Sequence, residues 1–170
     1  VNDAETMRVQ IGRPLRGDPS VAARCHLGLP VVAAVAPLLE DGTPFPTRYW
    51  LTCPLASKRI GRLESIGGVR RMEAKRLSDR SFGAALDAAH TRYGAERDAL
   101  IPEGYDGPVP SGGVAGLSQG IKCLHAHYAD TAAGNDNPVG AVVAGWIEPL
   151  NCTAPCVAEG ARNPLWEEPE

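Results

Sequence analysis

The sequence predicts an α+β fold: a small antiparallel sheet early in the chain, with helices packed on it from residue 55 onward. Three observations carry this. Short runs rich in β-branched and aromatic residues, separated by turn signals, are confined to the residues before Pro54. Apolar residues at helical spacing begin at Leu55 and recur as far as Ile147. The 170 residues, 44% hydrophobic and 22% charged, suffice to bury a real core. Residues 1–150 read as one domain and 151–170 as an irregular tail able to fold back on it.

The first 20 residues carry Gly12, Pro14, Gly17 and Pro19 and predict loop around one short strand at 7–11. Residues 21–25 form a strand that stops at His26-Leu27-Gly28. Residues 31–38, small and β-branched, read as a buried strand. Glu40-Asp41-Gly42 is a turn signal, since Asp-Gly suits a positive φ. Pro44 and Pro46 keep the next stretch extended without donating ladder bonds. Residues 47–53 (Thr-Arg-Tyr-Trp-Leu-Thr-Cys) are the best strand in the sequence, ended by Pro54. The expected sheet is therefore a hairpin over 31–53 with strand 21–25 beside it.

Beyond it, Leu55, Arg59, Ile60, Leu63 and Ile66 have helical spacing, and Gly67-Gly68 closes the segment. Val69, Met72, Ala74 and Leu77 predict a second short helix. Ser81 reads as the N-cap of a long helix over 82–100, with Leu86, Ala89, Tyr93 and Leu100 on its buried side. His90, Tyr93 and Arg97 share one of its faces and read as a buried edge. Residues 102–120 are rich in Gly and Pro, and a loop of that length is expected to be functional or mobile. Its Ser111-Gly112-Gly113 run lacks the Lys-Ser/Thr of a phosphate loop and does not follow a strand. A helix from 117 or 118 to 133 follows, stopped by Gly134-Asn135. Asn137-Pro138 then opens a last helix to Ile147.

The net charge is −3, so no global basic field points to nucleic acid. No apolar run approaches the roughly 20 residues that span a bilayer, so no membrane partner is expected. Val1-Asn2-Asp3-Ala4-Glu5 is not a basic leader with an apolar stretch behind it, and a cytoplasmic, reducing setting is the expectation. In that setting the odd set Cys25, Cys53, Cys123, Cys152 and Cys156 is not read as a disulfide framework.

Several runs resemble a family of small bacterial proteins catalogued as domain of unknown function 501. They are Asp41-Gly42-Thr43-Pro44-Phe45-Pro46-Thr47 with Tyr49-Trp50-Leu51-Thr52-Cys53-Pro54, then Lys122-Cys123-Leu124-His125, then Asn137-Pro138-Val139-Gly140. Arg24-Cys25 with Gly28 and Pro30, and the tail run Pro155-Cys156-Val157, are similar as well. The resemblance covers most of residues 8–157. It implies a cytoplasmic bacterial protein, often encoded near cell-division and central-metabolism genes, and it implies no activity.

The cysteines carry the chemistry. Cys25 and Cys53 each end a proposed strand and meet at one sheet edge if those strands finish at the same end. Cys123 lies near a helix start, where the N-terminus favours thiolate. Cys156 sits in a tail that can fold back. Together these four soft ligands suit Zn²⁺ or an iron–sulfur cluster. A histidine joins them in one of two ways. His127 shares a face with Cys123 if the helix has begun by 123, and His125 is the candidate if that segment is still loop. Cys152 and Cys156 have a short spacing but lack the usual second pair, and the role of Cys152 stays open. Scattered single cysteines beside proline favour the cluster over zinc by a narrow margin.

Buried inert thiols are the bland reading of the same residues. A Cys/His nucleophile pair, Cys53 or Cys123 with His125 or His127, is a further one, with Asp130 or Asn137 to orient the histidine. Separately, Lys58, Arg59, Arg62, Arg70, Arg71, Lys75, Arg76 and Arg80 outnumber Glu64, Glu73 and Asp79 over residues 58–80. That face is either solvated or the docking surface of an acidic protein or a phosphate-bearing partner.

Overall fold

The computed structural model describes residues 2–170. The chain begins with a helix, α1 (Asp3–Ile11), where the sequence reading expected a strand at 7–11. The cause is local: the Asn2 Oδ1 accepts the Glu5 amide at 2.8 Å, and Asp3 and Glu5 sit in the first turn, where the helix dipole favours anions. Gly12, at φ 77°, ends it in the left-handed region. Burial against the sheet overrides the helix's weak amphipathicity, since Met7 is packed with Ala33 and Val35.

Three strands follow: β1 (Ser20–Arg24), β2 (Pro30–Ala34) and β3 (Tyr49–Leu51). Their order is β1-β2-β3, and both pairs are antiparallel. Val32 pairs with Leu51 and Ala33 with Trp50. Every residue of β2 is buried, as befits a central strand covered on both faces. The regular ladder is shorter than the predicted 31–38 and 47–53. Beyond Ala34 the hairpin continues through single bonds, Val35 N to Arg48 O and Phe45 N to Pro37 O, because prolines interrupt both arms. The Asp41-Gly42 turn forms as expected, with Gly42 at φ 79° and the Asp41 Oδ1 accepting the Thr43 amide.

Five helices succeed the sheet: α2 (Pro54–Ser65), α3 (Gly68–Ser78), α4 (Arg80–Asp98), α5 (Leu124–Ala132) and α6 (Pro138–Ile147). The fold is α+β. The cap of α4 is Asp79, whose Oδ1 accepts the Phe82 amide at 3.1 Å, so the predicted Ser81 cap moves back two residues. Asn137 caps α6 as expected, accepting from the amides of Val139 and Gly140. The central apolar cluster gathers Val32, Leu51, Leu55, Ile60, Leu86, Leu124, Tyr128 and Val143. Helices α5 and α6 meet at Gly140, where a β-carbon would overlap the Thr131 hydroxyl and the His127 carbonyl.

The predicted helix start at 117 or 118 is overturned: α5 begins at Leu124. The residues before it are held in non-helical positions by side chains of α3 and α4. The Glu73 Oε1 accepts the Ile121 amide at 2.6 Å. His90 takes the Val114 amide on Nδ1 at 3.1 Å and meets the Gly120 carbonyl at 2.9 Å through Nε2. Arg97, only 1% exposed, donates to the carbonyls of Pro46 and Gly112 at 3.2 and 2.9 Å. The Gly/Pro-rich stretch, with one 3-10 turn at Val114–Gly116, is thus pinned to α4. After α6 the tail carries one two-residue hairpin, β4 (Val157–Ala158) with β5 (Ala161–Arg162). No helix among the described residues is long and apolar enough to cross a membrane.

Candidate functional site: a cavity lined by four cysteines

Both outer strands run antiparallel to β2, so β1 and β3 finish at the same end of the sheet. Cys25 directly follows β1, in a turn closed by Cys25 N to Leu29 O and Gly28 N to Cys25 O, both 2.9 Å. Cys53 follows β3 and is the N-cap residue of α2, with Pro54 at the first helical position. The tail brings Cys152 and Cys156 to the same place. All four line one cavity of about 20 Å³, together with Gln10, Leu29, Leu55, Leu150 and Trp166. All are free thiols.

The polar groups around the sulfurs are donors. The Gln10 Nε2 donates to the Cys156 Sγ at 3.6 Å and to the Pro30 carbonyl at 2.8 Å. The Trp166 indole N–H donates to the Cys152 Sγ at 3.4 Å. The amides of Leu55 and Ala56, at the start of α2, point to the Cys53 sulfur. The Gln10 Oε1 is buried without a partner. Burial nevertheless dominates the acid–base state: it pushes the Cys53 thiol up to about 11 and raises Cys156, with the neighbouring thiols adding to both shifts. The four sulfurs are not drawn to a common point. Among the described residues, no group of three or more His, Cys, Asp or Glu side chains is set to hold a metal ion.

Cys123, His125 and His127 lie elsewhere. Cys123 and His125 line a separate cavity of about 490 Å³ with Tyr49, Leu51, Ala115 and Lys122. The two ring nitrogens of His125 face the Glu64 carboxylate at 3.0 Å and the Ser57 carbonyl at 3.3 Å. Burial raises the Cys123 thiol despite its place before α5. His127 is fully buried between α4 and α6. Its Nδ1 faces the Asn137 amide at 3.0 Å, its ring packs edge-on against His90, and its Nε2 has no partner. Burial holds it neutral, down to about 4. Asn137 also donates to Asp130, which pairs with Arg92, so these polar groups belong to the core.

Sequence reasoning misses Gln10, because residues 7–11 read as a strand, and it gives Cys152 no role. Asn2 three residues ahead of Glu5 was a readable helix start. Nothing local signals that Cys152 returns to the sheet.

The basic stretch 58–80 is partly spent inside the molecule. Arg59 binds the carbonyls of Ile147 and Pro149, Arg62 and Lys58 meet Glu168, and Arg76 pairs with Glu73.

No curated protein and no solved structure matches the chain. The family model described as a protein of unknown function (DUF501) matches residues 21–145, a span that holds Cys25, Cys53 and Cys123 and ends before Cys152. With well over half of its length matched, the chain belongs to the DUF501 family.

Proposed function

We propose that the protein binds a single thiophilic metal ion, zinc foremost, through Cys25, Cys53, Cys152 and Cys156, and that the site is structural. The observation that carries the reading is the convergence of four cysteines, from three distant stretches of chain, on one cavity of about 20 Å³. That is room for one water-sized body, and it suits one ion better than a multi-atom cluster. Four thiolates form a closed tetrahedral set for zinc, with no position left for a substrate. The donors from Gln10, Trp166, Leu55 and Ala56 would share the negative charge of the thiolates. Metal takes the thiolate form of its ligands, so binding would release protons, and the side chains would draw together around the ion.

The test is metal analysis and an absorbance spectrum of full-length protein purified without oxygen. One zinc per chain in colourless protein is the expected result, with Co²⁺ substitution giving a tetrahedral thiolate spectrum. Iron with labile sulfide and brown colour would replace the single ion by a cluster. No metal as purified, and no uptake on addition, overturns the reading.

A second reading, a partner-binding module, has support at the other end of α2. Ile66 is 83% exposed and lines a cavity with Leu63, Arg71 and Trp146, and Leu77, 75% exposed, lies at the far end of α3. Charge reversal at Arg70 and Arg71 should abolish capture of an acidic partner while leaving the fold and the metal content intact; unchanged capture removes this reading. The thiol-enzyme alternative gains no comparable support, since burial holds Cys53 and Cys123 as thiols and both nitrogens of His125 are engaged by oxygen atoms.

A further inference from the structure

We infer that the segment from Pro149 to the C-terminus is a metal-dependent clasp: coordination by Cys152 and Cys156 and docking of the acidic end on α2 are one coupled equilibrium. The inference rests on the four-cysteine site proposed above and goes on to its regulation.

The segment has almost no core of its own. Between Pro149 and Glu170 only Val157 is buried, and regular structure is limited to β4 and β5. What holds it is a row of cations on one side of α2. The Arg59 guanidinium donates to the Ile147 carbonyl at 2.6 Å, the Pro149 carbonyl at 2.8 Å and the Asn151 Oδ1 at 2.8 Å. Arg62 grips both carboxylate oxygens of Glu168, and Lys58 approaches the same group at 3.6 Å. Trp166 joins this row to the sulfurs. The Lys58 ammonium lies 5.2 Å from its ring centre, and its indole N–H is on Cys152.

Exposed ion pairs of this kind are weak and screened by salt, and ordering some twenty residues opposes them. The thiols alone add little, because their sulfurs are not gathered on a point. A metal bridging Cys152 and Cys156 to Cys25 and Cys53 would anchor the segment to the sheet edge and to the start of α2. Because coupling is reciprocal, whatever loosens the acidic end from α2 also weakens the metal, even at residues that touch no sulfur. With the clasp open, Lys58, Arg59 and Arg62 stand uncovered.

The test uses the full-length chain and trypsin. Arg162 is exposed, and cleavage after it frees residues 163–170, which mass spectrometry reads directly. Zinc-loaded protein should release that peptide about tenfold more slowly than protein held in excess chelator. Arg62→Glu should speed release from the zinc-loaded protein and weaken zinc binding several-fold, and adding Glu168→Arg should restore both. If zinc binds but release is equally fast with and without it, the clasp is overturned and the four-cysteine site stands. If zinc does not bind at all, the site fails and the clasp with it.

Discussion

Cys25 and Cys53 leave the sheet at the same end, although 27 positions of chain separate them, because β1 and β3 are both antiparallel to β2 and therefore parallel to each other. An even number of strand reversals makes this juxtaposition obligatory. The tail then needs to supply only Cys152 and Cys156 to complete a four-sulfur set.

Thiol chemistry should reflect the burial of that set. With Cys53 at about 11, its thiolate fraction at pH 8 falls roughly 100-fold below that of a free cysteine. In folded, reduced, metal-free protein, iodoacetamide should therefore label Cys53 slowest, as read by peptide mass. Zinc should protect Cys25, Cys53, Cys152 and Cys156 and leave Cys123 reactive. Because protons leave as metal binds, zinc affinity should climb between pH 6 and 8, by up to about tenfold per unit for each proton released. Labelling of Cys53 at the rate of a free thiol contradicts the burial argument.

His127 should contribute to acid unfolding. Its folded value is depressed to about 4 from 6.5, so the unfolded chain binds more protons between those values. The stabilisation is complete above pH 6.5 and is lost as pH falls toward 4, by roughly 3 kcal/mol at most. Urea titrations of metal-free protein at pH 7 and 4.5 should show this loss, and His127→Gln should reduce it. An unchanged difference between the two pH values in the variant places the acid sensitivity elsewhere.

Arg97 is the pin of the Gly/Pro-rich loop. Arg97→Met leaves the carbonyls of Pro46 and Gly112 without a donor and should cost about 2–4 kcal/mol. Hydrogen exchange at residues 112–116 should accelerate more than exchange in α6. The exposed Arg80, changed the same way, should stay within about 0.5 kcal/mol of the parent.

Two glycines of α6 should respond oppositely to alanine. At Gly140 the added carbon meets the Thr131 hydroxyl and the His127 carbonyl, and overpacking should destabilise by about 1–3 kcal/mol. At Gly145 no atom stands within 4 Å, so Gly145→Ala should stabilise by up to about 1 kcal/mol through helix propensity. Thermal melts of the two variants decide it; equal shifts would mean that α5 and α6 are not in the close contact described.

The features legible in the chain before folding are local. Apolar spacing located α2, α3 and α4, and β-branched or aromatic runs bounded by turn signals located the three strands, because both signals are written in neighbouring residues. Asn137-Pro138 marked the start of α6 and Asp41-Gly42 the turn, because each supplies the cap or the φ that its place requires. Where local signals competed, tertiary packing decided: α5 starts at Leu124 because Glu73 and His90 capture the preceding backbone. The cysteine grouping was of the second kind. Nothing in their own segments separates the fate of Cys123 from that of Cys152, yet only Cys152 returns to Cys25 and Cys53, carried by a tail that Arg59 and Arg62 hold to α2. Convergence across more than a hundred residues depends on strand direction and on what the chain packs against, and no spacing within a segment records either.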